Sequence, residues 1–493
     1  MKTRKISNLV SLTLIAILVT TATSCSKVMD SDFRDGATGP QAEEQIRKDP
    51  MPLLAGAIDA LRLTEGDGSS VDANSIMSIQ HAGDLMTEDV VQRQDSWHYF
   101  DYDIDNGNNQ ATYRRVRHSW GLLYGVAGKA NEVIELVDFE TTDPIRQNRL
   151  GQALALRAFA YHTLIQRFQQ TYLGNEDAPG IPMILTERDT DEKALDGTPG
   201  WKNRGTVRKV YAQIEKDLLL AVELLDHERL SKDFINKAVA QGLLARVYMT
   251  MGKWAEAETM AAEARVAFPI MSAGDAGSYG YNSQDNQEWM WGSSTTMDNR
   301  LIYWSFQSII SSDADGYAGL GAFKAMDSRL YDQMGPNDAR RNLHHDDRTP
   351  GDEMFYNKKF KNVPSWLMDN IYMRSSEMLL IEAEAQARQG RGGDAAATLM
   401  ELMGKRDPDY SRTTANVEDI FLQKRIECWG EGVIFYDYRR LRRAVDRTYT
   451  TPFNNHLIRV AVSGTAWRVI YQIPEPARNA SPELAADEQN PAS

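Results

Sequence analysis

A single residue, Gly252, separates two stretches of helical periodicity, 236–251 and 253–267. So short a joint forces the two helices to fold back on one another. Leu244, Ala245, Tyr248, Gly252, Ala257, Ala264 and Pro269 share one register. It is that of a tetratricopeptide unit of roughly 34 residues, in which small residues let paired helices approach and a proline ends the second. A second pair, 371–389 and 393–405, keeps Ala383, Gly390 and Ala395 but has Gln386 at the tyrosine position and Pro408 one place late. Degenerate repeats and unrelated antiparallel helices both satisfy this pattern.

The same periodicity predicts helices over 112–138, 150–168 and 206–225, and a further helical stretch within 416–441. Leu150, Leu154, Ala158, Tyr161, Ile165 and Phe168 share one face, and Thr206 is a candidate N-cap. Gly121, Gly125 and Gly128 weaken the first of these helices. The expected fold is mainly α. Helix pairs of tetratricopeptide type form a scaffold, and a loop-rich aromatic insertion carries minor β structure.

Two long regions break the helical pattern, 92–112 and about 270–368. Long loops on a helical scaffold are where function concentrates. Both mix aromatic, amide and glycine residues. Aromatic rings suit the flat C–H faces of a sugar, and amides and acids suit its hydroxyls. Trp97, Tyr99, Tyr102, Asn106 and Asn108 offer that mixture in the first region. Tyr279, Tyr281, Trp289, Trp291 and Tyr317 offer it in the second. Tyr303, Trp304 and Phe306 lie in a short apolar run and read as core.

The formal net charge of −14, without basic runs, argues against nucleic acid as a partner. The only cysteines are Cys25 and Cys428, so neither a disulfide framework nor a four-cysteine zinc site is available. Cys428 reads as a small buried apolar residue. Asp101, Asp103 and Asp105 alternate as in a calcium loop, but Gly107 falls one place late and Thr112 replaces the expected glutamate. The run His344, His345, Asp346, Asp347 lacks a distant ligand motif and reads as a solvated loop. Glu382 and Glu384 fall on different helix faces and form no catalytic pair. The sequence has no G-x-S-x-G, phosphate-binding loop, H-E-x-x-H or dinucleotide fingerprint. No catalytic residue, cofactor or metal is expected.

Lys2, Arg4 and Lys5 precede an apolar stretch, Leu9–Val19, too short to span a bilayer. Small residues Ala22, Thr23 and Ser24 then lead to Cys25. This resembles the lipobox of bacterial lipoproteins, with Ala22 where leucine is usual. The resemblance implies cleavage after residue 24 and lipidation of Cys25. Residues 1–24 are read as signal peptide, 25–40 as flexible tether and 41–493 as one body. Within it, helices occupy about 41–269 and 369–493, with the insertion at about 270–368. Asp30, Asp32 and Asp35 resemble the surface-export tag of some Gram-negative lipoproteins.

Ordered along the chain, these features resemble the SusD/RagB family of outer-membrane nutrient-binding lipoproteins. The carriers are LRAFAYHTLIQRF (156–168), GIPMIL (180–185), TVRKVYAQIEKDLLLAVELL (206–225), YMRSSEMLLIEAEAQARQG (372–390), KRIECWGEGVIFYDYRR (424–440) and the tail YQIPEPARNASPELAADEQNP (471–491). Gln472, Ser481, Ile434 and Ser376 depart from the family pattern. The resemblance implies a non-catalytic protein, lipid-anchored in the outer membrane and facing outward. It would bind a glycan or oligosaccharide and deliver it to a SusC-like TonB-dependent barrel. A peptide or other nutrient as ligand, a helical interaction scaffold without small ligand, and a hydrolase of unknown type are the alternatives.

Overall fold

The computed structural model describes residues 39–62, 74–92, 109–278, 280–346, 348 and 354–492. The chain forms two units, Met1–Lys48 and Asp49–Ser493. In the first, one helix is described, α1 (Gly39–Lys48).

The second unit is mainly helical. Its first half contains α2 (Met51–Ala60), α3 (Ser75–Asp84), strand β1 (Val90–Gln92), α4 (Arg114–Leu136), α5 (Pro144–Phe168), β2 (Met183–Ile184), β3 (Gly200–Trp201), α6 (Val207–Leu224), α7 (Lys237–Met251) and α8 (Trp254–Arg265). The insertion follows, with α9 (Ala273–Ala276), β4 (Trp289–Ser293), α10 (Phe306–Ile310), β5 (Lys324–Met326) and α11 (Ser328–Tyr331). Then come β6 (Asn370–Arg374), α12 (Ser375–Arg388), α13 (Gly392–Met403), α14 (Val417–Glu427) and α15 (Ile434–Arg440). Helix α5 packs against α4 and α6, α7 against α8, and α12 against α8, α13 and α14.

Local chemistry sets the helix ends. Asp143 caps α5 by accepting from the Ile145 N–H at 2.9 Å, and Thr206 caps α6 through Lys209 N–H at 3.2 Å. Gly252 closes α7 in the left-handed region, φ +76°, and so turns the chain into α8. Gly121, Gly125 and Gly128 meet no heavy atom within 4 Å, because all three lie on the exposed face of α4. The helix survives them because its other face buries Leu122, Leu123, Val126 and Ala127.

Two boundaries differ from the sequence reading. Residues 371–374 are strand, not helix: β6 pairs antiparallel with β4, Trp289 opposite Arg374. The 416–441 stretch is two helices, because Gly430 and Gly432 take φ +75° and +79° between α14 and α15. A Cβ at Gly432 would fall 2.2 Å from the Gln80 Cβ.

The motifs that carry the family resemblance build a buried ionic spine. Arg374 donates to Glu431 at 2.7 and 2.9 Å, to Glu427 at 3.2 Å, and to Glu288. Arg406 holds both Glu427 oxygens at 2.9 Å, and Lys359 reaches Glu431 at 2.5 Å. Burial alone would raise the Glu427 carboxyl, but Arg406 and Arg374 overcome it and hold it well below the carboxylate range. A second set joins Lys424 and Arg440 to Asp437 at 2.8 and 2.7 Å, and Arg440 to Glu384. These charges hold α12, α14 and α15 together.

Candidate functional site

The sequence reading placed a ring-lined site on ten residues. Six of them, Trp97, Tyr99, Tyr102, Asn106, Asn108 and Tyr279, lie outside the described residues, as does Cys25. Three others are sealed in the core, which corrects the expectation for them. Tyr281, Trp289 and Trp291 are each 0% exposed. The Tyr281 hydroxyl donates to the Ala276 carbonyl at 3.2 Å, and its ring lies under Lys359 and Arg374. The indole N–H of Trp289 donates to Gly280 O at 2.8 Å and that of Trp291 to Asp233 O at 3.2 Å. Phe159 and Tyr372 pack edge-on against Trp291, at 5.1 and 5.0 Å. With N–H groups satisfied and both faces covered, these tryptophans are structural.

The tenth residue, Tyr317, stands half-buried in an aromatic ledge with Tyr303 and Trp304, which sequence reasoning assigned to the core. The Tyr303 and Tyr317 ring centroids are 4.3 Å apart, those of Tyr303 and Trp304 5.6 Å, and those of Trp304 and Tyr317 5.9 Å. Ile302 and Leu320 beside them are 47% and 61% exposed. Only Phe306 of the presumed core run is buried, at 4%. Burial and the neighbouring Tyr303 push the Tyr317 hydroxyl up to about 12, so it stays protonated.

Three residues hold the ledge. Ser308 accepts from the Tyr317 N–H through Oγ at 3.1 Å and from the Ala318 N–H through its carbonyl at 2.8 Å. Buried Gln307 donates to Asn362 Oδ1 at 2.8 Å and Val363 O at 2.9 Å, and accepts from the Met368 N–H at 3.1 Å. The Asn74 amide donates to the Trp304 carbonyl. The backbone is strained where these segments meet: Ile302, Ser365 and Trp366 have φ of +49°, +63° and +66°. Such φ values in branched or bulky residues cost about 1–3 kcal/mol each and gather at functional sites.

A small recess of about 30 Å³ opens among Arg62, Thr295, Asn299, Leu301, Ser305 and Asn370. Through Leu301 and Ser305 it borders the turn that carries Tyr303 and Trp304. It supplies amide and hydroxyl groups beside the rings. A separate cavity of about 50 Å³ lies among the scaffold helices, lined by Phe159, His162, Arg246, Glu377, Lys424 and Asp437 among others. Its charges are spent on each other: Arg246 pairs with Glu377 at 2.5 Å and Lys424 with Asp437 at 2.8 Å. Burial holds His162 down at about 3 and therefore neutral.

The remaining candidates serve the fold. His344 is buried, not solvated as the sequence suggested; Trp429 covers it edge-on at 5.0 Å, and burial holds it down at about 3. Glu382 pairs with Arg265 at 2.6 Å, and Glu384 with Arg440. Cys428 is 0% exposed. Among the described residues no group of three or more His, Cys, Asp or Glu could hold a metal ion. Among them, too, no helix is long and apolar enough to cross a membrane.

Residues 66–249 match a SusD-like family model described as starch-binding associating with outer membrane. A curated relative, SusD-like protein P2 of Formosa agariphila, is 26% identical over 245 residues, 49% of this chain and 43% of the relative. The match therefore spans less than half the length of that relative. Among solved structures, a SusD-like carbohydrate binding protein from Bacteroides vulgatus is 25% identical with a TM-score of 0.74, covering 89% of this chain and 97% of that one. Surface glycan-binding protein A from Bacteroides thetaiotaomicron, solved with laminarihexaose, shares the fold at 17% identity, TM-score 0.67, covering 89% and 98%.

Proposed function

We propose that this SusD-like chain captures a glycan on the ledge of Tyr303, Trp304 and Tyr317 and, anchored through Cys25, hands it to a SusC-like TonB-dependent barrel in the outer membrane. The observation that carries the reading is the contrast between two sets of rings. Tyr281, Trp289 and Trp291 are sealed with their polar atoms satisfied, whereas Tyr303, Trp304 and Tyr317 cluster half-exposed beside exposed Ile302 and Leu320. Half-exposed rings at a strained turn are costly to keep unless something binds them.

Recognition would be by stacking and hydrogen bonding, with no covalent step. A pyranose ring would lie on the aromatic faces, and its hydroxyls would meet the tyrosine hydroxyls and the amides of Asn299 and Asn370. Residues 93–108, with Trp97, Tyr99 and Tyr102, follow Gln92, which pairs with Lys324 of β5, a short distance along the chain from Tyr317. They are proposed as further ligand contacts. The lipoprotein signal supports the anchor, and the family match supports the outer membrane.

The experiment is affinity electrophoresis through gels containing single polysaccharides, with the mature wild-type protein and Tyr303→Ala. Retardation of the wild type by one polymer, lost in the variant while its melting temperature holds, supports the reading. Capture of peptides instead, with no retardation by any glycan, replaces the sugar by a peptide ligand. Co-purification of a barrel protein from native membranes tests the delivery step.

A further inference from the structure

The ledge sits on a stretch of chain whose charges are one-sided. From Ser294 to Gly321 there are three carboxylates, Asp298, Asp313 and Asp315, and a single cation, Arg300. All three aspartates are exposed. None makes an ion pair or a side-chain hydrogen bond among the described residues, unlike surface carboxylates elsewhere such as Asp177 and Glu192, which pair with Arg208 and Lys209. Of the cations near the ledge, Arg62 is committed to carboxylates and Arg300 is held by a neutral carbonyl. Arg300 donates to the Ser365 carbonyl at 2.7 Å, and Arg62 at the recess pairs with Asp233 at 2.5 Å and Asp59 at 3.1 Å.

The unpaired carboxylates lie close to the rings along the chain. Asp315 is two residues from Tyr317, within about 7 Å along the chain. Asp313 lies on the same loop, which the Ala318 N–H closes back onto the Ser308 carbonyl and the Leu320 and Ala322 N–H groups fold into turns. Asp298 lies in the turn closed by Arg300 N–H on the Thr296 carbonyl, and that arginine ties the turn to Ser365 beside Trp366. Field from unpaired charges of one sign reaches about a Debye length, roughly 8 Å in physiological salt, so a ligand on the rings feels it.

Resting on the glycan reading of the ledge, we infer that this site selects uncharged glycans over polyanionic ones, with Asp298, Asp313 and Asp315 as its specificity-setting residues. A uronate or sulfate on a sugar stacked at Tyr303 and Tyr317 meets three unpaired carboxylates against one cation of that stretch, Arg300. A neutral sugar meets the same rings and amides without that penalty.

The test uses matched pairs of soluble polysaccharides, each a neutral polymer and the same polymer partly carboxymethylated. Binding is measured in solution with wild type, Tyr303→Ala and the triple variant Asp298→Asn, Asp313→Asn, Asp315→Asn. For the pair that binds, the wild type should prefer the neutral member by about tenfold at about 0.01 M salt and lose the preference near 1 M, where screening is almost complete. The triple variant should bind the neutral member unchanged and the anionic member more tightly. Equal or tighter wild-type binding of the anionic member, still dependent on Tyr303, overturns the inference and leaves the glycan reading standing. No Tyr303-dependent binding to any pair removes that reading and this inference with it.

Discussion

Tyr303 and Tyr317 stand with ring centroids 4.3 Å apart and planes tilted by 45°, although they belong to different turns of the insertion. With Trp304 they form a partly exposed aromatic surface, proposed above as the glycan-binding face. Tyr303→Ala should weaken glycan binding about tenfold, the scale of one lost aromatic contact of roughly 0.5–1.5 kcal/mol. Its thermal stability should stay near wild type. Trp291→Ala should behave in the opposite way, losing about 3–5 kcal/mol of stability on denaturant unfolding as a buried ring is removed. Trp291→Phe should recover much of that stability and bind normally. A Trp291→Phe protein that folds but fails to bind would contradict the placement.

Gln307 braces the ledge and lines the recess beside it. Its side chain ties the turn after Trp304 to Asn362, Val363 and Met368 through three hydrogen bonds. Gln307→Ala leaves buried partners unsatisfied, at about 1–3 kcal/mol. We expect lower glycan affinity at temperatures where the protein is still folded, and partial rescue by Gln307→Glu at low pH, where a protonated carboxyl can donate. Equal affinities for Gln307→Ala and wild type would place the ledge outside its control.

Arg374 is the hinge of the ionic spine, holding Glu288, Glu427 and Glu431 while fully buried. Arg374→Met leaves three buried carboxylates with Arg406 and Lys359 to balance them. The expected loss is about 3–5 kcal/mol, read as a shift in the urea midpoint. A loss below about 1 kcal/mol, the range of exposed pairs, would mean that the spine contributes little.

Asp84 gives the fold a pH dependence of unusual sign. It is 1% exposed and accepts from the Gly432 N–H at 2.8 Å. Burial pushes its carboxyl up to about 8, against the pull of that hydrogen bond and with help from Asp89. The folded protein therefore keeps a proton that the unfolded chain releases near pH 4. Stability from this group falls as pH rises from about 4 to about 8, by up to about 1.4 kcal/mol per unit. Neutral His162 and His344 act the other way, losing stability as pH falls below about 6.5. Asp84→Asn isolates the carboxylate. Its urea midpoint should rise above wild type progressively between pH 5 and pH 8, and parallel curves would show that Asp84 ionises in the fold.

The helices were legible because their signals are local. Thr206, Gly252 and the apolar face of 150–168 each act within a few residues of themselves, and the structure keeps all three. What was not legible depends on distant partners. Residues 371–374 carry helical periodicity, yet β4, far off in sequence, claims them as strand. Trp289 and Trp291 lie in a loop-rich region that mixes aromatic, amide and glycine residues, and so read as ligand-facing. The β4–β6 ladder, Gly280 and Asp233 bury them. Tyr303 and Trp304 lie in an apolar run and so read as core; Trp304 does pack against the core, but both rings stay partly exposed beside the positive φ of Ile302. The motifs that carry the family resemblance were legible as a set, and their charged residues Arg374, Glu427 and Glu431 lie in the buried ionic spine of the scaffold.

The most direct measurement is a crystal structure of the mature protein with a bound oligosaccharide, chosen from the polymer that retards it. The account predicts a sugar ring stacked on Tyr303, Trp304 or Tyr317, with hydroxyls directed to the recess of Asn299 and Asn370. A sugar seated elsewhere, with those three rings bare, would contradict it.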